Sequence, residues 1–458
     1  MKYSRSEVRC KAHKIPVLRF EDQRLTSFSG LVILQALFAR LQLKRRLRAC
    51  FRHLNSRATY GHAKIVMQLV VHLLLGYREL RDSRYYRDDP LVKRVLGLKR
   101  LPDVATISRT LPQASLKSVE KLRHTIRQLV LERLQGVKLS RLTLDFDGSV
   151  LSTRRRAQGT ASGYNKKRKG ARSYYPLFCT VAQFGQAFDV LHRPGNVHDS
   201  NGAKAFILAC IREIWNVLPH VRIEVRMDSA FFSDEIVTAL QSIGVKFTIS
   251  VPFERFLELK AMIEHRRRWR RFNGELSYFD TAWKPKKWDS RFRFLFIRKK
   301  VRKQQKGPVQ LDLFIPYEYG YEFTVIVTNK QVSMKKVLAF HNGRGAQEGI
   351  LGELKSQVQI GYVPVRGLIG NRIYLLAGML AHNLIREIQM ISNPRTRGTT
   401  EKRAPLWIFE QVDTIRRNIL QRAGRLTKPC GQLTLTMSAN RAVRKQLLHY
   451  LDALRNAA

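Results

Sequence analysis

Acid is scarce in this chain. Its 458 residues hold 35 Asp plus Glu against 84 Lys plus Arg, a formal charge of +49. Such an imbalance exceeds what solubility asks for and attracts a polyanion. Cysteine is scarce too: Cys10, Cys50, Cys179, Cys210 and Cys430 are scattered and odd in number, with no Cys-x-x-Cys pair. That excludes a disulfide framework and a zinc site and leaves reduced structural thiols. Long apolar runs are absent. The two longest, Ile65 to Tyr77 and Ile373 to Ile385, contain Gln, His or Asn and fall short of the ~20 residues that a membrane span needs. They read as buried helices, and no membrane partner is expected. The opening MKYSRSEVRCKAHKIP lacks the apolar stretch of a secretory signal, so the expected location is the cytoplasm.

The 44% hydrophobic content and 23 Phe exceed what a disordered basic tail carries, so the charge decorates folded domains. Nucleic acid is then the expected partner. An architectural binder and an enzyme acting on nucleic acid satisfy the charge equally. Only the few acidic residues can separate them.

At roughly 100–200 residues per domain the length allows two to four domains. In residues 1–138, Leu116, Val119, Leu122, Ile126, Leu129, Val130 and Leu134 recur at helical spacing with basic residues opposite. The stretches from Ser27 to Leu54 and from Ala63 to Tyr86 behave alike, and Pro102-Asp103 opens a short helix. This predicts a basic helical domain that binds DNA, with the reading helix left open. At Leu139 the texture changes. Leu142, Leu144 and Phe146 alternate with Thr143, Asp145 and Asp147, as in a strand with one buried side. SYYPLFCTVAQ and AFDVLHRP form a hairpin through Phe184-Gly185-Gln186, followed by a helix, the strand RIEVRMD, a second helix and the strand VKFTISVPF. A meander followed by strands alternating with helices predicts a mixed α/β sheet over 139–253. Residues 254–320 are strongly basic, carry Trp269, Trp283 and Trp288 and the alternating RFRFLFIRKK, and read as an inserted β-rich element. The strand YEFTVIVTN resumes the α/β pattern over 321–393, and Pro394 to Pro405 reads as a linker into a basic helical C-terminal region, 394–458.

In HNGRGAQEGILGELK, His341, Arg344, Glu348 and Lys355 stand at spacings of 3, 4 and 7. On one continuous helix they share a face. A solvated helix with an Arg344–Glu348 pair shows the same pattern, but one carboxylate between cations also suits a metal ion beside a phosphate backbone. Cutting a phosphodiester with two metal ions requires carboxylates from separate elements, because hard cations take oxygen ligands. Asp147 ending the first strand, Asp228 ending RIEVRMD, and Glu348 are the candidates, since residues at the carboxyl ends of strands meet in one crevice. An Asp after a strand also serves as a turn or helix cap. Asp145, on the strand face of Asp147, is the rival first ligand.

Together with DFDGSV, GYNKKRKGARSYYPL, RPGNVHDSNGA, VRMDSAFFSDEIVTALQSIGVKF and FTVIVTN in that order, these residues resemble the DDE transposases of bacterial insertion sequences. The group in question ends its last motif with Tyr, two residues, Arg, three residues, Glu, six residues, Lys; His341 stands at the Tyr position. The resemblance spans residues 60 to 390 or so. It implies an α/β RNase H-like core interrupted by a β-rich insertion, between a helical end-binding domain and a helical tail. Asp147, Asp228 and Glu348 become Mg²⁺ ligands, with Mn²⁺ as substitute, and the Asp147-Gly148-Ser149 match decides for Asp147 over Asp145. Arg344, Lys355 and His341 become contacts to the DNA backbone. The implied reaction is cleavage at transposon ends and strand transfer into target, carried out by a homodimer on double-stranded DNA. In family members whose cleavage passes through a hairpin, a Trp before the last motif stacks on a flipped base. Here Tyr321, Phe323 or an insertion Trp takes that place, or these aromatics fill the core. The loop with Lys166, Lys167 and Arg168 tracks phosphates or is simply solvated. His198-Asp199 reads as a turn and helix cap. A nuclease, a domesticated copy and a non-catalytic binder are the alternatives.

Overall fold

The computed structural model describes residues 16–456 apart from 17, 22, 55–57, 155, 164, 166, 167, 199, 200 and 302–319. A two-residue strand, β1 (Leu25–Thr26), precedes the helices. The expected helix from Ser27 to Leu54 is two, α1 (Leu31–Arg40) and α2 (Leu43–Phe51), divided at Gln42, whose φ of 48° is left-handed. α3 (His62–Leu74) stops before Gly76, at φ 89°, a conformation in which glycine escapes the Cβ clash. α4 (Pro90–Leu96) and α5 (Val104–Thr110) start on Asp89 and Asp103, whose carboxylates accept first-turn N–H groups. α6 (Leu116–Val137) starts on a reciprocal Ser115–Ser118 capping pair.

β2 (Arg141–Gly148) opens the α/β part. β3 (Leu151–Ser152), β4 (Ala161–Ser162) and β5 (Arg172–Tyr174) form a small sheet in the order β3-β5-β4. β6 (Leu177–Val181) and β7 (Gln186–Leu191) make the expected hairpin, with Gly185 at φ 60°. Then come α7 (Ala203–Val217), β8 (Arg222–Met227), α8 (Asp234–Ser242), β9 (Lys246–Val251), α9 (Leu257–Glu264), β10 (Arg270–Arg271), β11 (Leu276–Trp283), β12 (Phe292–Lys300) and β13 (Tyr321–Thr328). The chain continues through α10 (Met334–Asn342), α11 (Gly345–Ser356) and α12 (Leu368–Ser392), then β14 (Gly424–Thr427), β15 (Thr434–Met437) and α13 (Arg441–Asn456).

Among the described residues nine strands make one mixed sheet, ordered β10-β11-β12-β13-β9-β8-β2-β6-β7. β2, β8 and β9 run parallel and their outer neighbours antiparallel. The stretch read as an insertion therefore extends the main sheet: β12 pairs with β13 along its length, and β13 pairs with β9. Both faces of β12 are covered, which explains why it stays in the sheet. Phe292, Phe294 and Phe296 join Trp283 and Trp288 in the core, while Leu295 and Ile297 pack against Met334, Val337 and Leu338 of α10.

The helices of residues 1–138 do not own their core. α3 packs along α12, and one apolar cluster runs from Phe28 through Leu380 to Leu454 on α13. α6 links two cores, with Leu122 and Ile126 in the first and Leu131 and Leu134 among the sheet residues. The C-terminal region also differs from the expected linker and helices. Leu406 N–H donates to the Gln183 carbonyl at 2.9 Å and Trp407 is buried against Phe184, so this stretch is strapped to the core. β14 and β15 form a hairpin that pairs with β1. Cys50, Cys179, Cys210 and Cys430 are free thiols; Cys10 and Asp199 lie outside the described residues. Among the described residues no helix is long and apolar enough to cross a membrane.

Candidate active site

β2 and β8 are adjacent and parallel, in a register that ends at Phe146↔Met227. The next residues are Asp147 and Asp228. Neighbouring strands lie about 4.8 Å apart, so the two carboxylates leave the sheet side by side at its carboxyl edge. Asp147 is 18% exposed. Asp228 also serves as a cap, its Oδ1 accepting the Ala230 N–H at 3.0 Å.

One step back on the same face, Asp145 meets Arg226. The guanidinium donates through Nε to Asp145 Oδ1 at 2.5 Å and through Nη2 to Oδ2 at 2.8 Å, with both side chains buried. Burial raises the pKa of Asp145, and Arg226 opposes the rise. The third nitrogen, Nη1, donates to the carbonyls of Phe340 at 3.0 Å and Lys402 at 2.8 Å. A single buried arginine thus ties β2 to the end of α10 and to the C-terminal strap. Sequence reading missed it, although the signal was present: Asp-x-Asp on β2 and Arg-x-Asp on β8 share one spacing, which sets Asp145 opposite Arg226 in parallel neighbours.

α11 docks on β2 through Gln347, a buried residue whose Nε2 donates to the Asp145 carbonyl at 2.9 Å. That contact brings Glu348 to the side of Asp147. Arg344 stands between them, with Nη1 3.8 Å from Asp147 Oδ2 and Nη2 3.6 Å from Glu348 Oε1. Glu348 is 64% exposed. The carboxylate donors suit a hard divalent cation. Among the described residues, however, no three His, Cys, Asp or Glu side chains are grouped closely enough to share one ion.

The four motif residues do not lie on one helix. His341 belongs to α10 and Glu348 and Lys355 to α11, with Gly343 and Arg344 between the two helices. A Cβ at Gly343 would sit 1.9 Å from the Lys402 carbonyl oxygen and 2.0 Å from Arg226 Nη1, so glycine is needed there for close approach. The expected phosphate contact from His341 is corrected. Its Nδ1 pairs with Thr248 Oγ1 at 3.0 Å and its Nε2 with Ser250 Oγ at 2.9 Å. Burial, helped by Arg344 and Arg226, pushes its pKa down to about 3. A neutral ring with both nitrogens engaged pins α10 to β9 and has no N–H left for DNA.

Residues 9–458 match the family described as Transposase DDE domain group 1. The chain belongs to this DDE transposase family. The transposase is similar to the piggyBac transposase in a synaptic complex with hairpin DNA, at 13% identity and TM-score 0.42, over 94% of this chain and 85% of that one. It is also similar to the Mos1 transposase in a paired-end complex with the left transposon end, at 10% identity and TM-score 0.17, over 52% of this chain and 61% of that one. No curated protein matches it.

The remaining expected DNA contacts of the transposase are dispersed. Lys355 is half-buried on α11, and Arg168 is exposed in the loop between β4 and β5. Lys166 and Lys167 lie outside the described residues. Tyr321 and Phe323 extend β13 past Val251, the last residue of β9, and so stand at the same end of the sheet as Asp147 and Asp228. The Arg298 guanidinium lies 4.7 Å from the Tyr321 ring and 4.7 Å from that of Trp269, and Phe323 tilts against Trp269 at 6.0 Å. Trp269 and Phe323 line a basic pocket of about 480 Å³ together with Arg298, His265, Arg266 and Arg267.

Proposed function

We propose that this transposase comes from a bacterial insertion sequence and works in the cytoplasm, cutting DNA at the element's ends and joining the released 3′-hydroxyl to target DNA. Its centre would be Asp147, Asp228 and Glu348, set in an RNase H-like core of β7-β6-β2-β8-β9. The observation that carries this reading is the register of β2 and β8, which stops one residue short of both aspartates. Asp147 and Asp228, joined by Glu348, would hold Mg²⁺ or Mn²⁺. Bound there, the ions would supply an activated water and stabilise the leaving oxygen of an in-line displacement. Arg344 would leave the carboxylates for a scissile-strand phosphate, as a planar fork suited to two phosphate oxygens. Lys355 and Arg168 would add backbone contacts, and so would Lys166 and Lys167, which precede Arg168 in the sequence. Tyr321, Phe323 and Trp269 would stack on an unpaired base, a contact worth about 1–3 kcal/mol. A homodimer would hold two ends of double-stranded DNA.

The test is cleavage of end DNA with Mg²⁺ by Asp147→Asn, Asp228→Asn and Glu348→Gln. Each should lose cleavage while retaining DNA binding. Near wild-type cleavage by any one of them removes that residue from the centre.

A further inference from the structure

The strands that end at the carboxylates begin at a second polar site. Arg141 and Arg222 pair in register at the amino ends of β2 and β8, and Glu224 pairs with Lys246 of β9. These residues, with Lys330 and Trp215, line a pocket of about 520 Å³. From Arg141 to Asp147 the strand rises about 20 Å, so the pocket is separate from the cleavage centre. Its floor is Glu224, whose side chain is 4% exposed. Three cations converge on that one carboxylate: Lys330, Arg403 at 2.9 Å and Arg141 at 3.4 Å.

The pairing does not balance. Three cations against one carboxylate leave two positive charges over. Glu401 lies 3.8 Å from Arg403 but is shared with Lys336 at 3.5 Å, so counting both leaves the excess unchanged. Lys330 and Arg403 are 8% and 5% exposed, where water screens them poorly and like charges repel strongly. The Phe340 ring, 3.9 Å from Lys330 Nζ, offsets part of that cost without adding negative charge. Burial lowers the Lys330 pKa, and Arg403 and Arg141 lower it further, against the pull of Glu224. Arg222 and Lys246 add two exposed cations at the mouth.

We propose that this pocket is an anion site that takes a phosphate group at the end of the sheet opposite the carboxylates. A DNA backbone is the source that the transposase reading supplies, and that part of the inference rests on the reading. A free polyphosphate carries the same chemistry. Arg222 and Lys246 would receive the phosphate oxygens, and the excess charge around Glu224 would hold the anion.

The experiment uses the full chain and two probes: duplex DNA titrated by fluorescence anisotropy across a KCl series, and pyrophosphate without DNA by calorimetry. In Arg222→Gln/Lys246→Gln, two exposed changes that leave the buried cluster intact, the slope of log affinity against log salt should shrink by about two. Pyrophosphate should bind at least about tenfold more weakly. Glu224→Gln should bind pyrophosphate more tightly than wild type, a direction that simple damage does not produce. Loss of pyrophosphate binding with an unchanged DNA slope would keep the anion site and overturn DNA as its source. No pyrophosphate binding by wild type together with an unchanged slope overturns the proposal, as does weaker binding by Glu224→Gln. Failure of the wild-type chain to bind DNA at all would count against the transposase reading, while the pyrophosphate arm would still decide the pocket.

Discussion

Arg226 grips Asp145 through two hydrogen bonds, of 2.5 and 2.8 Å, with neither side chain in contact with water. Removing one partner of such a pair strands the other charge, at a cost of ~3–5 kcal/mol. Asp145→Asn should therefore lose about that much unfolding free energy in urea. Asp147→Asn, at the partly exposed strand end, should stay within ~1 kcal/mol of wild type and yet lose cleavage. Equal stability of the two variants would deny Asp145 its structural role.

Arg344 lies between Asp147 and Glu348 as their counter-ion, and a divalent metal bound at the proposed centre would have to displace it. Arg344→Gln should bind Mn²⁺ more tightly than wild type in the absence of DNA, read by the loss of the free-ion electron paramagnetic resonance signal. Its affinity for end DNA should fall, because a phosphate contact is lost. Weaker Mn²⁺ binding would mean that Arg344 helps to hold the site open.

Two glycines nine residues apart, Gly343 and Gly352, should respond in opposite directions. Gly343→Ala drives a methyl group into the Lys402 carbonyl and Arg226, an overpacking worth ~1–3 kcal/mol, and it should slow cleavage by displacing α11. Gly352→Ala meets nothing within 4 Å in the middle of α11 and should gain ~0.5–1 kcal/mol from helix propensity. Thermal unfolding of both proteins checks the pair, and equal melting temperatures would contradict it.

Acid should unfold the protein through its buried histidines. Burial lowers His341 and His192 to about 3 and His72 to about 4, whereas the unfolded side chains titrate near ~6.5. The unfolded state therefore binds more protons between these values. The stability from each histidine is complete above pH ~6.5 and is lost as pH falls toward its folded value. His341→Gln should flatten the slope of unfolding free energy against pH by up to ~1.4 kcal/mol per pH unit between pH ~6 and ~4. An unchanged slope would show that His341 is not held neutral.

A fragment ending at residue 138 should not fold. It retains α3 but lacks α12, and Leu73 of α3 would lie 3.8 Å from a Cβ placed at Gly378 of α12, so the two helices pack closely. The fragment should keep helical circular dichroism with poor dispersion of its amide resonances. A well-dispersed spectrum would show that the N-terminal helices are autonomous.

Local pattern carried much of this protein. Alternation of Leu142, Leu144 and Phe146 marked β2, the Phe184-Gly185-Gln186 turn marked the β6–β7 hairpin, and Asp147, Asp228 and Glu348 stood out as acids in a basic chain. The charge itself also follows from sequence. Periodicity reports which side of an element is apolar but not what covers it, and there tertiary structure decided. Only packing reveals that β12 is buried on both faces and so extends the sheet, that α3 and α12 share a core, and that residues after Asn393 are strapped to it. Likewise His341 looked like its motif neighbours until Thr248 and Ser250 engaged both its nitrogens. The partners of Arg226 and Glu224 come from segments more than a hundred residues apart, Asp145 with Lys402 and Arg141 with Arg403. The matched spacing on β2 and β8 signals only the Asp145–Arg226 pair; the contacts to Lys402 and Arg403 exist only once the C-terminal strap has closed around the same buried charges.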